Sequence, residues 1–132
     1  MIKEAYCSFE VAKLLKEKGF NEPCRDFYRK ENDEWLHRNT YEYNYFNLQM
    51  PRWEGCYSCP THQMAMAWLR IEHNILLFLL PAQENGKLVY LVEVWTWNEE
   101  EGIYESTYAP MPRKEPEKAI ESALKYVLEN LI

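Results

Sequence analysis

The stretch ILLFLLPAQENGKLVYLVEVWTW, residues 75–97, decides the fold. Ile75 to Leu80 is an apolar run too short to cross a bilayer, and Pro81 closes it. It reads as a strand that is apolar on both faces. Asn85-Gly86 then marks a two-residue hairpin, because both residues accept the positive φ of a type I′ turn. The return strand, Leu88 to Trp97, is rich in β-branched and aromatic residues.

Working outward, Asn98 to Gly102 reads as a second turn leading to a third strand, Ile103 to Tyr108, which Pro110 and Pro112 end. A helix is expected before the first strand. It opens at Pro60-Thr61, takes Met64, Ala67, Trp68 and Ile71 as its apolar face, and stops at His73-Asn74. A last helix starts near Pro116, with Ala119, Ile120, Ala123, Leu124, Val127, Leu128 and Leu131 as a broad apolar stripe. The fold class is therefore α+β, an antiparallel sheet of three to four strands flanked by helices, with a C-terminal α-β-β-β-α unit over residues 60–132. Both faces of that sheet are apolar, whereas an antiparallel sheet commonly keeps one face wet. The helices can cover one face. The other calls for the N-terminal half or a second copy of the chain, a homodimer.

Residues 1–59 are less regular. Ser8 caps a helix from Phe9 to about Lys18, Val11, Leu14 and Leu15 form its stripe, and Gly19-Phe20 fits a left-handed C-terminal cap. Asn21 to Glu34 reads as polar loop with a short helix at Cys24 to Lys30. Tyr41, Tyr43 and Tyr45 alternate with polar residues, which suggests a strand to about Met50. Pro51 to Cys59 is a connector. Without a Gly/Ser-rich linker, the 132 residues read as a single domain, 1–132.

Charge narrows the function classes. The chain carries a formal net charge of −6, and nearly all of it lies in residues 60–132, where six Lys and Arg face eleven Glu. Nucleic-acid affinity rests largely on phosphate neutralisation, so an acidic unit is a poor candidate. The opening Met1-Ile2-Lys3-Glu4-Ala5 lacks the apolar core of a secretory signal, and no run approaches the ~20 apolar residues of a membrane helix. A cytoplasmic protein with reduced thiols is expected, with no membrane association.

The sharpest chemical feature is Cys56-Tyr57-Ser58-Cys59, followed by His62. Two residues between cysteines let both sulfurs face one point, so Cys56, Cys59 and His62, with Cys24 or Cys7 as fourth ligand, could form a zinc site. A thiol-redox reading rests on Cys59 at a helix N-terminus. The simpler reading is cysteines packed in a connector. Tyr41, Tyr43, Tyr45, Trp53 and Tyr57 form a candidate interaction surface, since Tyr and Trp anchor interfaces. Glu93 interrupts an apolar strand and suits either a pocket carboxylate or a residue near a strand edge or paired with an Arg. No G-x-S-x-G, Walker, G-x-G-x-x-G or H-E-x-x-H pattern occurs, and four glycines leave little for a phosphate-binding loop. A non-catalytic protein without cofactor, acting through an unidentified protein partner, is expected.

Three segments resemble known proteins. Tyr6 to Phe20 (YCSFEVAKLLKEKGF), Thr61 to Ile75 (THQMAMAWLRIEHNI) and Ala119 to Ile132 (AIESALKYVLENLI) are similar to small uncharacterised proteins of prophages and mobile elements from gut bacteria. The resemblance implies kinship with such elements but no activity and no site residues. Where those proteins commonly read Ala-Pro-Thr, this chain has Cys59-Pro60-Thr61, which argues against a metal site shared by the family. Helix–strand–strand–strand–helix is also the order of double-stranded RNA-binding domains, and the last strand and helix resemble HicB-like antitoxins. An RNA-binding or antitoxin-like role would need the basic residues Arg113, Lys114 and Lys118, which Glu115 and Glu117 interrupt.

Overall fold

A computed structural model describes residues 2–39, 55–108 and 112–132. Among these residues there are three helices and two antiparallel three-stranded sheets, so the fold is α+β. The chain separates into two compact units, Met1–Gln63 and Met64–Ile132. Among the described residues no helix is long and apolar enough to cross a membrane.

The N-terminal unit opens with α1, Phe9–Glu17. Ser8 Oγ accepts the Val11 N–H at 3.2 Å, satisfying one of the donors a helix start leaves free. At the other end Gly19 adopts φ +95°, and the N–H groups of Gly19 and Phe20 return to the carbonyls of Lys16 and Leu15. This Schellman cap carries the buried Phe20 back toward the helix.

The next elements correct the sequence reading. Cys24 to Lys30 is not a short helix: β1 runs Asp26–Glu31 and pairs with β2, Glu34–Asn39. Asn32 and Asp33 both take positive φ, +50° and +62°, which is the type I′ geometry expected of Asn-Gly. Asp tolerates the left-handed region, so the turn forms without its usual glycine. A short β3, Tyr57–Ser58, pairs with the other side of β1, giving the order β2-β1-β3. The strand expected from Tyr41 to Met50 lies outside the described residues.

In the C-terminal unit α2, His62–His73, feeds β4, Ile75–Glu84, through Asn74 at φ +56°. Its first two residues belong to the N-terminal unit. The buried stripe of α2 is Ala65, Trp68 and Leu69, while Ile71 is 70% exposed. The expected face of Met64, Ala67, Trp68 and Ile71 is thus displaced by one position. MAMAWLRI fits two helical registers, and the bulk of Leu69 selects the second.

β4 does not stop at Pro81 but continues to Glu84, paired with β5, Lys87–Asn98. Among the described residues the order is β4-β5-β6, so β4 is an edge strand there, where proline can sit with its missing N–H turned away from the ladder. Asn85 and Gly86 close the hairpin with φ of +53° and +76°. β6, Ile103–Tyr108, completes the sheet, with a bulge between Val94 and Trp95. A backbone bridge between Tyr90 and Arg113 then leads to α3, Pro116–Asn130. Ala119 and Ala123 pack on Val92, with Leu77, Tyr90 and Ile120 around them. Small residues on the helix let it lie close to the sheet.

Candidate interaction surface

Residues directly opposite across a ladder share a face. In the N-terminal sheet Tyr28 therefore lies with His37 and Tyr57. Phe9 of α1 settles on this face, stacked on Trp35 at 4.4 Å and edge-on to Tyr28 and Tyr57 at 5.7 and 5.5 Å. Lys16, about two turns further along the same side of α1, donates to the Cys56 carbonyl oxygen at 2.9 Å and holds its ammonium 4.8 Å above the Tyr57 ring. Tyr57 is thus engaged in packing within its own unit. Tyr41, Tyr43, Tyr45 and Trp53, the other members of the expected surface, lie outside the described residues.

Below this cluster the hydroxyl of Tyr28 donates to the Cys7 carbonyl at 2.6 Å. The imidazole Nε2 of His37 lies 3.3 Å from the buried Asp26 carboxylate. Beside them the Tyr6 hydroxyl is pushed up to about 12, first by burial and then by the Asp26 and Glu4 carboxylates.

All four cysteines are buried, and each is a thiol. Cys56 packs on Phe27. Cys59 instead donates its Sγ–H to the Cys7 carbonyl at 3.4 Å, so the two thiols of the C-x-x-C pair enter different surroundings. His62 is buried at the start of α2, and a ring nitrogen lies within 4.8 Å of Cys7 Sγ. Cys24 donates to the Glu22 carbonyl at 3.5 Å, and its thiol is pushed up to about 12 by burial, then by Asp26 and Glu22. Burial also raises Cys56, against the opposing pull of Arg29 and Lys16. Metal ligation and redox attack both use thiolates. Burial thus favours the protonated thiol at Cys24 and Cys56.

The C-terminal sheet offers a different kind of surface. α3 packs on the face of Leu77, Tyr90 and Val92. Cross-strand pairing puts Leu76 with Trp95, Phe78 with Glu93, Leu80 with Leu91 and Trp97 with Tyr104 on the opposite face. Three aromatic residues there remain open: Phe78 is 46% exposed, Trp97 41% and Tyr104 39%. Phe78 meets Trp95 edge-on at 6.3 Å, and Trp97 meets Tyr104 at 5.0 Å. The Tyr104 hydroxyl donates to Asn74 Oδ1 at 3.4 Å, which steadies the ring. Glu93 is the one charged side chain among these paired residues, and its carboxylate accepts the Trp95 indole N–H at 3.0 Å.

The sequence shows that both faces of these strands are apolar. It does not single out Phe78, Trp97 and Tyr104, because alternation alone cannot say which of the two faces the helix covers. The basic residues that an RNA-binding role would need are partly engaged: Arg113 Nε donates to Ser122 Oγ at 3.4 Å, and Lys118 lies 3.7 Å from Glu115. No protein-family model, curated protein or solved structure matches this sequence.

Proposed function

We propose that this chain is a non-catalytic interaction protein that docks a protein partner on the open face of its C-terminal sheet. One observation carries this reading: Phe78, Trp97 and Tyr104 stand roughly two-fifths exposed on one apolar face, away from the α3 side. Apolar surface left in water is unfavourable, and contiguous patches of it mark interaction sites. Large aromatic side chains held by neighbours make strong anchors, because little side-chain freedom is lost on binding. Origin in a phage or mobile element is part of the same proposal and rests on the resemblance of three segments alone.

The test is affinity purification from the source cells with the wild type and with the Phe78→Ser/Trp97→Ser double variant, melting temperatures being measured in parallel. A partner recovered by the wild type and lost by a folded double variant is expected. Identical recoveries from both proteins would refute the docking face.

A further inference from the structure

At the β5–β6 end the face described above is bordered by charge of one sign, whereas at its hairpin end Lys87 stands opposite Glu84. Between Lys87 and Arg113 the chain contains no Lys or Arg, but it contains Glu93, Glu99, Glu100, Glu101 and Glu105. Three of these, Glu99 to Glu101, form the turn that joins β5 to β6, immediately beside the Trp97–Tyr104 pair. The turn is held in place: Asn98 Oδ1 accepts the backbone N–H groups of Glu100 at 3.0 Å and Glu101 at 3.2 Å. All three glutamates are exposed. Glu93, the acid on the face itself, is occupied by the Trp95 indole.

Resting on the docking reading above, we propose that the partner is a protein segment in which Lys or Arg flank an apolar side chain. The apolar residue packs along Phe78 and Trp95. The cation lies over Trp97 and Tyr104, where an aromatic face attracts it and the Glu99–Glu101 carboxylates neutralise it. Lys and Arg suit such a place because their methylene stems can cover apolar surface while the charged head stays wet. Complementary charge also steers encounter and rejects wrong partners. The same acidity disfavours two other occupants. A nucleic acid would bring phosphates against carboxylates. A second copy of this chain would bring one acidic rim against another.

Selection of random peptides displayed on phage against the full chain tests this, followed by binding of the enriched synthetic peptides to three proteins: wild type, E99Q/E100Q/E101Q and W97S. Expected are peptides with Lys or Arg around an apolar residue. Their affinity should fall about tenfold in the triple variant, as three exposed ion pairs of modest strength require. It should fall at least as far in W97S. Peptides without a basic bias, or with equal affinity for the triple variant, would overturn the basic partner while leaving the docking face standing. Sedimentation showing a dimer that W97S dissociates would give the face to a second copy, with the same consequence. Peptides indifferent to W97S, or no enrichment from a monomeric protein, would overturn both readings.

Discussion

Trp95 gives its indole N–H to the carboxylate of Glu93, two residues back on the same face of β5, at 3.0 Å. The pair resolves how an acid can stand in an otherwise apolar strand. Glu93 is neither a free pocket acid nor a stray charge. Its carboxylate satisfies a half-buried donor and fixes the ring that meets Phe78 edge-on.

Replacing Glu93 separates these roles. Glu93→Gln keeps an acceptor and should leave stability nearly unchanged. Glu93→Ala strands the indole N–H and should destabilise the protein by about 1 kcal/mol. Urea unfolding of both variants measures the difference.

The Trp97–Tyr104 contact should be visible as coupling rather than as a large single effect. Each residue is partly exposed, so Trp97→Ser and Tyr104→Ser should each cost less than about 1.5 kcal/mol. The double-mutant cycle should return a favourable interaction of about 0.5–1.5 kcal/mol. Strict additivity would mean that the two rings do not support each other in solution.

Gly55 should resist substitution. Its φ is +80°, and a Cβ there would approach Trp35 Cη2 to 3.3 Å, against the indole that stacks on Phe9. Gly55→Ala should cost about 1–2 kcal/mol through backbone strain alone. A thermal melt equal to wild type would contradict this.

Alkaline pH should expose Cys24. Its thiol is raised from 9.0 to about 12 in the folded protein, chiefly by burial. Below pH 9 the thiol is protonated in both states, and its contribution to stability is complete. As pH climbs from 9 toward 12 the unfolded chain ionises first, so stability falls. Each pH unit in that window removes up to about 1.4 kcal/mol. Cys24→Ala should therefore flatten the decline of stability above pH 9. Chelator should leave the melting temperature at neutral pH unchanged, since the thiols of Cys24 and Cys59 act as donors to carbonyl oxygens.

The first hairpin should gain from a better turn. Asp33 adopts φ +62°, a conformation that glycine takes without a side-chain penalty. Asp33→Gly should stabilise the protein by about 1 kcal/mol, read from the denaturation midpoint.

That turn also explains which parts of the fold are legible in the residues. Asn85-Gly86 announces its hairpin, and the flanking strands are apolar enough to be read at once. Asn32-Asp33 performs the same geometry between Asp26–Glu31 and Glu34–Asn39, whose charged residues hide the alternation. Its strands emerge only when Phe9 covers Tyr28, Trp35 and Tyr57, contacts that lie far apart along the chain. The site follows the same rule. Cys56 and Cys59 stand out by spacing, yet their thiols take up different neighbours. Phe78, Trp97 and Tyr104 stand out only once the ladder register shows which side chains share a face.

Pro81 has a consequence beyond the length of its strand. β4 is a ten-residue edge beside an open apolar face, an arrangement that invites a foreign strand to add on and the sheet to grow from chain to chain. A proline near its middle interrupts the row of backbone donors that such growth would copy. The chain can thus leave apolar side chains exposed on that face while its backbone resists strand addition.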